Sequence, residues 1–202
     1  MLRLHEGGDR GADPNARSFS TVITAFSKSK FPRKAKQTRD LLQRMKRLYE
    51  GGQRNMRPNI YVYAAVLNAC AYTFGRAEEK EEALKIGLET YEEMQASPDI
   101  EANHVAYGSY LRACRRLMPE DDPRRKDLIS QAFRQCCSDG QLGEYVLKQL
   151  RAVPNLYVPL LEDYIIDGEV AYRDLPQTWR CNVREKKGRR GDKQSGRKRG
   201  IR

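Results

Sequence analysis

Long hydrophobic runs are missing from this sequence. No stretch approaches the ~18 to 20 apolar residues of a membrane-spanning helix, and the mean hydropathy is −0.80, so no membrane is expected among its partners. Histidine is nearly absent, with only His5 and His104. The five cysteines (Cys70, Cys114, Cys136, Cys137, Cys181) form an odd set with no CxxC spacing and no nearby His pair. That pattern argues against a disulfide framework or a zinc site and fits a reducing interior. The first residues carry no apolar stretch of a secretory kind, and Glu6, Asp9 and Asp13 make them too acidic for an import presequence. The acids of EDDPRR (Glu120 to Arg125) have no His or Ser constellation beside them, so neither a hydrolytic centre nor the metal-binding acidic cluster of a nuclease is expected. No catalysis and no cofactor follow from this set of absences. Glu78, Glu79, Glu81 and Glu82 read as a solvated helix face.

Positive charge is in excess but unevenly placed. The formal net charge of the 202 residues is +11. Arg184 to Arg202 holds ten Lys or Arg against two acids, a net +8, which leaves +3 for everything before it. Residues 184–202 are rich in Gly, Lys and Arg with almost nothing to bury, and are expected to be disordered alone. Such a tail can grip RNA by neutralising phosphates without sequence preference, and it is equally open to reading as a nuclear address or a solubilising end.

What the chain has in abundance is internal repetition. RLHEGGDRGADPN (Arg3 to Asn15) recurs 44 residues later as RLYEGGQRNMRPN (Arg47 to Asn59), with eight of 13 positions identical. The spacing continues, since Asn15, Asn59 and Asn103 lie 44 apart and precede ARSFSTVITAFSK, IYVYAAVLNACAY and HVAYGSYLRACRR. Within these, Phe19, Val22, Ile23 and Phe26 match Tyr63, Val66, Leu67 and Cys70, and then Tyr107, Tyr110, Leu111 and Cys114. Offsets of i, i+3, i+4 and i+7 are the apolar stripe of an amphipathic helix. Ala25, Ala69 and Ala113 also coincide, and a small residue in register suits close helix approach. Asn before each stretch is a good N-cap, because its side chain accepts from an otherwise unpaired N–H of the first turn. Cys70 and Cys114 fall on the stripe and read as small buried thiols.

A second helix follows each first one. Ala35, Leu41, Leu42, Met45, Leu48 and Tyr49 are spaced mostly by three and four, with Gly51 and Gly52 as a stop. AEEKEEALKIGLETYEEMQ places Ala83, Leu84, Leu88, Tyr91 and Met94 on one side and acids on the other. The third unit drifts: a helix is expected around Lys126 to Ser138, then a break at Asp139 and Gly140, a helix in QLGEYVLKQLRAV, and a shorter one around Leu156 to Ile166. The expected fold is all-α, an α-solenoid of helix-turn-helix repeats in which each hairpin is covered by its neighbours. Its divisions are the end of a truncated repeat (1–15), repeats at 16–59 and 60–103, a divergent repeat at 104–139, a closing region at 140–183 and the tail.

The strings LLQRMKRLYEGGQRNMRPNIYVYAAVLNACAY, RSFSTVITAFSKS and GEYVLKQLRAVP resemble a long-spaced branch of the pentatricopeptide repeat family, whose usual repeat is about 35 residues. The resemblance covers roughly Met1 to Pro154. It implies a binder of single-stranded RNA in mitochondria or plastids, acting in transcript processing, stabilisation or translation alongside other RNA-processing proteins. It also implies that two or three side chains per repeat read one base. Carried over, the first repeat offers Ser20 and Asn59 as readers and Arg17 as the residue sandwiching a base; Ser with Asn suggests adenine. The second offers Ala64 and Asn103, with Tyr61 suited to stacking, and Ala64 has no hydrogen-bonding group with which to discriminate. The third offers Val105 and Gly108 without a recognisable last residue. Lys28 and Arg116, near the ends of first helices, are candidates for phosphate contact.

Plainer readings stand beside these. Tyr61 can pack on a neighbouring repeat, and Asn59 and Asn103 can serve as N-caps alone. His5 occupies the place of Tyr49 and His104 that of Ile60, so both look structural. The alternative function is a protein-interaction scaffold of the tetratricopeptide type, and the alternative location is the nucleus, through the basic tail. Met1 stands where Met45 stands in the next repeat. The expectation is a chain that starts inside a repeat, as a fragment or truncated gene product, with any presequence upstream.

Overall fold

Asn15, Asn59 and Asn103 each begin a helix. In the computed structural model, which describes residues 15–184, Asn15 Oδ1 accepts from Ser18 N at 3.1 Å, Asn59 Oδ1 from Tyr61 N and Val62 N at 3.1 and 3.2 Å, and Asn103 Oδ1 from Ala106 N at 2.9 Å. The helices so capped are α1 (Ala16–Lys28), α3 (Ile60–Ala71) and α5 (His104–Leu117). Between them lie α2 (Lys34–Glu50) and α4 (Ala77–Ala96), and after them α6 (Pro123–Ser138), α7 (Glu144–Arg151) and α8 (Pro154–Leu161). The described residues are all-helical apart from connections and one isolated bridge between Ile166 and Glu169. The expectations for residues 1–14 and 185–202, the truncated repeat and the basic tail, lie outside the described residues.

Helices of like position pack on one another. α1 lies against α3, α3 against α5 and α5 against α7, while α2 packs on α1, α3 and α4, and α4 on α3 and α5. The apolar stripes face these contacts. Phe19 and Ile23, then Tyr63, Val66, Leu67 and Cys70, then Tyr107, Tyr110, Leu111 and Cys114 are buried. Val22 departs from the expected stripe and is 44% exposed. Its counterparts Val66 and Tyr110 are covered, and α3 and α5 have a like-positioned helix on both sides, whereas among the described residues α1 packs chiefly on α2 and α3. Within α3 every residue from Val62 to Ala71 except Asn68 is buried. Truncating a fully buried core leucine such as Leu67 removes roughly 2–5 kcal/mol.

Polar contacts tie the second helices together. Glu93 of α4 accepts from Lys46 Nζ at 2.8 Å and from the Tyr63 hydroxyl at 2.8 Å, and pairs with Arg39 at 2.9 Å. Tyr107, one repeat on from Tyr63, donates to Asp139. Tyr91 stacks on Tyr110 with centroids 3.8 Å apart.

The third unit differs from expectation at its edges. α6 starts at Pro123 rather than near Lys126, because Asp122 caps it by accepting from Arg124 N at 2.9 Å and proline suits the first helical position. α7 is confined to Glu144–Arg151 and α8 to Pro154–Leu161, and the expected continuation to Ile166 is replaced by a 3-10 turn over Glu162–Tyr164. Beyond it Asp167 and Gly168 both take positive φ, 51° and 82°, which closes the tight turn bridging Ile166 to Glu169. The chain then returns to α6. Trp179 meets Phe133 and Tyr164 edge-on at 6.3 and 5.2 Å, and Leu142 N donates to Trp179 O at 2.7 Å.

Candidate nucleic-acid interface

The 44-residue spacing and the side-by-side packing of α1, α3 and α5 line up equivalent positions. Arg17, Tyr61 and Val105, each the second residue of its helix, are all exposed, Tyr61 at 71%. Asn59 and Asn103 lie beside this row with their side-chain oxygens committed to capping, so the N-cap reading of these residues is realised. Ser20, Ala64 and Gly108, three residues further along, run inward instead. Ser20 is half-buried and its hydroxyl donates to Ala16 O at 2.8 Å, Ala64 is 5% exposed, and Gly108 is buried. A Cβ on Gly108 would run into Tyr145 Cδ1. The glycine is therefore a close-packing position under α7, and it presents no side chain to a base. Ala64 is corrected in the same sense, because its methyl group lies within the packed core.

At the other end of the same helices a third row is exposed: Lys28, Tyr72 and Arg116. Arg116 Nη1 donates to Ala71 O at 2.6 Å, capping the C-terminus of α3 while the side chain stays at the surface. Around it lie residues that the repeat register did not single out. Lys34, at the start of α2 and 4% exposed, donates to Ser27 O and Ser29 O at 3.2 and 3.1 Å and sits 5.9 and 5.8 Å from the ring centres of Tyr72 and Phe74. The Arg112 guanidinium lies 4.0 Å from the Tyr72 ring centre, close enough for a cation–π contact. Buried Arg125 of α6 donates to Arg115 O at 3.1 Å.

The charge balance at this end is one-sided. Among the described residues, none of Lys34, Arg112, Arg115, Arg116 and Arg125 forms an ion pair with Asp or Glu. Burial, with the charge of Arg116, holds Lys34 below the usual lysine range. Burial, with the charges of Arg112, Arg116 and Arg125, does the same to Arg115. The Nε–H groups of Arg112, Arg115 and Arg125 are buried and meet no acceptor in the protein. Burial also raises the Tyr145 phenol, which the Ser109 hydroxyl and Arg112 approach. The sequence signal for this cluster was the run RACRR with no acid beside it. Lys34 and Arg125 had no such signal, because only tertiary packing brings them to α5.

Among the described residues no group of three or more His, Cys, Asp or Glu is placed to hold a metal. Cys70 and Cys114 are buried as expected, and burial pushes both thiols up to about 12, so they remain protonated. No helix of the described residues is long and apolar enough to cross a membrane. No protein-family profile, curated protein or solved structure matches the chain.

Proposed function

We propose that this chain is a pentatricopeptide-type α-solenoid that binds single-stranded RNA and takes part, with other RNA-processing proteins, in the handling of organellar transcripts. The observation that carries the reading is the exposed row Arg17, Tyr61 and Val105 at equivalent positions of α1, α3 and α5. A cation, an aromatic ring and an aliphatic group in line suit phosphate contact and base stacking in succession. With Ala64 and Gly108 turned to packing, the reading narrows to shape and stacking, with Ser20 as the remaining polar side chain of the inward row and little discrimination between bases.

The test is anisotropy of a labelled, unstructured RNA dodecamer with the full chain across a salt series. Tyr61→Ala is expected to weaken binding roughly five- to a hundredfold, in line with ~1–3 kcal/mol per stacked base. Arg17→Ala is expected to weaken it less and to lower the salt slope by about one. A protein-interaction scaffold would show affinity carried by residues 184–202 alone and unmoved by either change; that outcome would sink the RNA reading.

A further inference from the structure

We infer that the C-terminal ends of α1, α3 and α5 form a binding site for the phosphate of a nucleotide, built by Lys34, Arg112, Arg115, Arg116 and Arg125 with Tyr72 as the ring that takes the base. It rests on the RNA reading and deepens it, because it assigns affinity to the end of the helix row remote from Tyr61.

Three independent features point to an anion. The first is uncompensated charge, since five cations from α2, α5 and α6 converge with no carboxylate among the described residues paired to any of them. Arg39 and Lys46, by contrast, share Glu93, and Arg57 meets Asp99 at 2.6 Å. The second is donor capacity. Lys34, Arg116 and Arg125 spend one or two donors on the carbonyls that end α1, α3 and α5, but a guanidinium has five N–H groups, and three buried Nε–H groups here meet no acceptor. A phosphate brings several acceptor oxygens and the negative charge that this cluster lacks. The third is the pairing of cation with ring. Arg112 lies over one side of Tyr72, and Tyr72 and Phe74 are both exposed large aromatics. Phosphate donors beside partly exposed rings suit a nucleotide better than an acidic peptide, which would supply charge but no planar group for Tyr72.

A nucleotide phosphate can be a strand's terminal group or an internal diester, and one experiment separates them. The full chain and the double variant Arg112→Gln, Arg115→Gln are titrated with one RNA dodecamer carrying either a 5′-phosphate or a 5′-hydroxyl. Loss of about tenfold in affinity for both oligonucleotides, with a salt slope lower by about two, identifies an internal diester. Loss confined to the phosphorylated strand identifies a terminal phosphate. Equal affinity of variant and wild type for both strands overturns the proposal while leaving the Tyr61 reading intact. If neither strand binds wild-type protein, the RNA reading fails, and adenosine monophosphate against adenosine in a thermal melt decides the site alone. A rise in Tm with the monophosphate only, absent from the variant, upholds it, and no rise overturns it. A circular-dichroism melt of the variant without ligand reports its folding, and Arg112→Lys, which keeps the charge, restores part of the affinity.

Discussion

Between α1, α3 and α5 on one side and the stretch from α6 to Arg184 on the other, the means of starting a helix and covering its apolar face change. The first three begin with the same Asn cap and pack on a helix of like position, α3 and α5 burying the whole stripe and α1 burying Phe19 and Ile23 of it. In the later part α6 and α8 open with proline and α7 with Gly143, whose lack of a side chain leaves the cap to backbone alone. Cover comes from a returning loop pinned by Trp179, Tyr164 and Phe133. The difference teaches that a repeated hairpin needs only its neighbour, whereas the last one must be closed by chain that has no repeat pattern to follow.

The comparison breaks first where the two parts meet, at Gly108 and Tyr145. Gly108→Ala would drive its Cβ into the ring of half-buried Tyr145, against Cδ1, Cε1 and Cγ. The expected cost is about 2 kcal/mol, read as a lower urea midpoint. Gly87→Ala is the control, because its Cβ would lie 3.6 Å from Cys70 Cβ, an ordinary contact. It should be neutral or stabilising by up to about 1 kcal/mol through helix propensity. Equal losses at the two glycines would mean that α7 does not press on α5 as described.

A middle-sized effect separates the ion-paired second helices from the rest. Burial alone would raise the Glu93 carboxyl, but hydrogen bonds from Lys46 and Tyr63 and the charges of Arg39 and Lys46 outweigh it and hold the group below the usual carboxylate value. A folded-state pKa below the unfolded one contributes stability that is present above about pH 4.3 and disappears as pH falls through the folded value. Glu93→Gln should therefore be less stable than wild type at neutral pH and should show a shallower decline from about pH 5 to pH 3. Parallel urea midpoints across that range would remove Glu93 from the account.

The smallest change concerns the caps. Asn59→Ala should cost about 1 kcal/mol, since it frees two first-turn N–H groups at the head of the most buried helix. Asn59→Asp should keep most of that stability, and a full loss with Asp would indicate that the amide group itself is needed.

Much of the fold is legible in the sequence. The Asn spacing and the three-and-four stripes located α1 to α5, since caps and periodicity act within one or two turns of chain. α6 starts three residues ahead of the expected Lys126 because the cap that decides it is a single side chain, Asp122. Of the site, Tyr61 and Arg17 were legible as exposed positions by register. Ala64 and Gly108 were not, because burial depends on what lies above a residue, and only the approach of α7 covers Gly108.

Local chemistry thus determined where helices begin and which of their faces are apolar, through hydrogen bonds and side-chain spacing that span a few residues. Tertiary structure alone decided that Lys34, Tyr72, Arg112 and Arg125, from four helices or their ends, meet without a carboxylate among them. The reason is that charge compensation is a property of what packing brings within a few ångströms, and residues tens of positions apart carry no sequence mark of it.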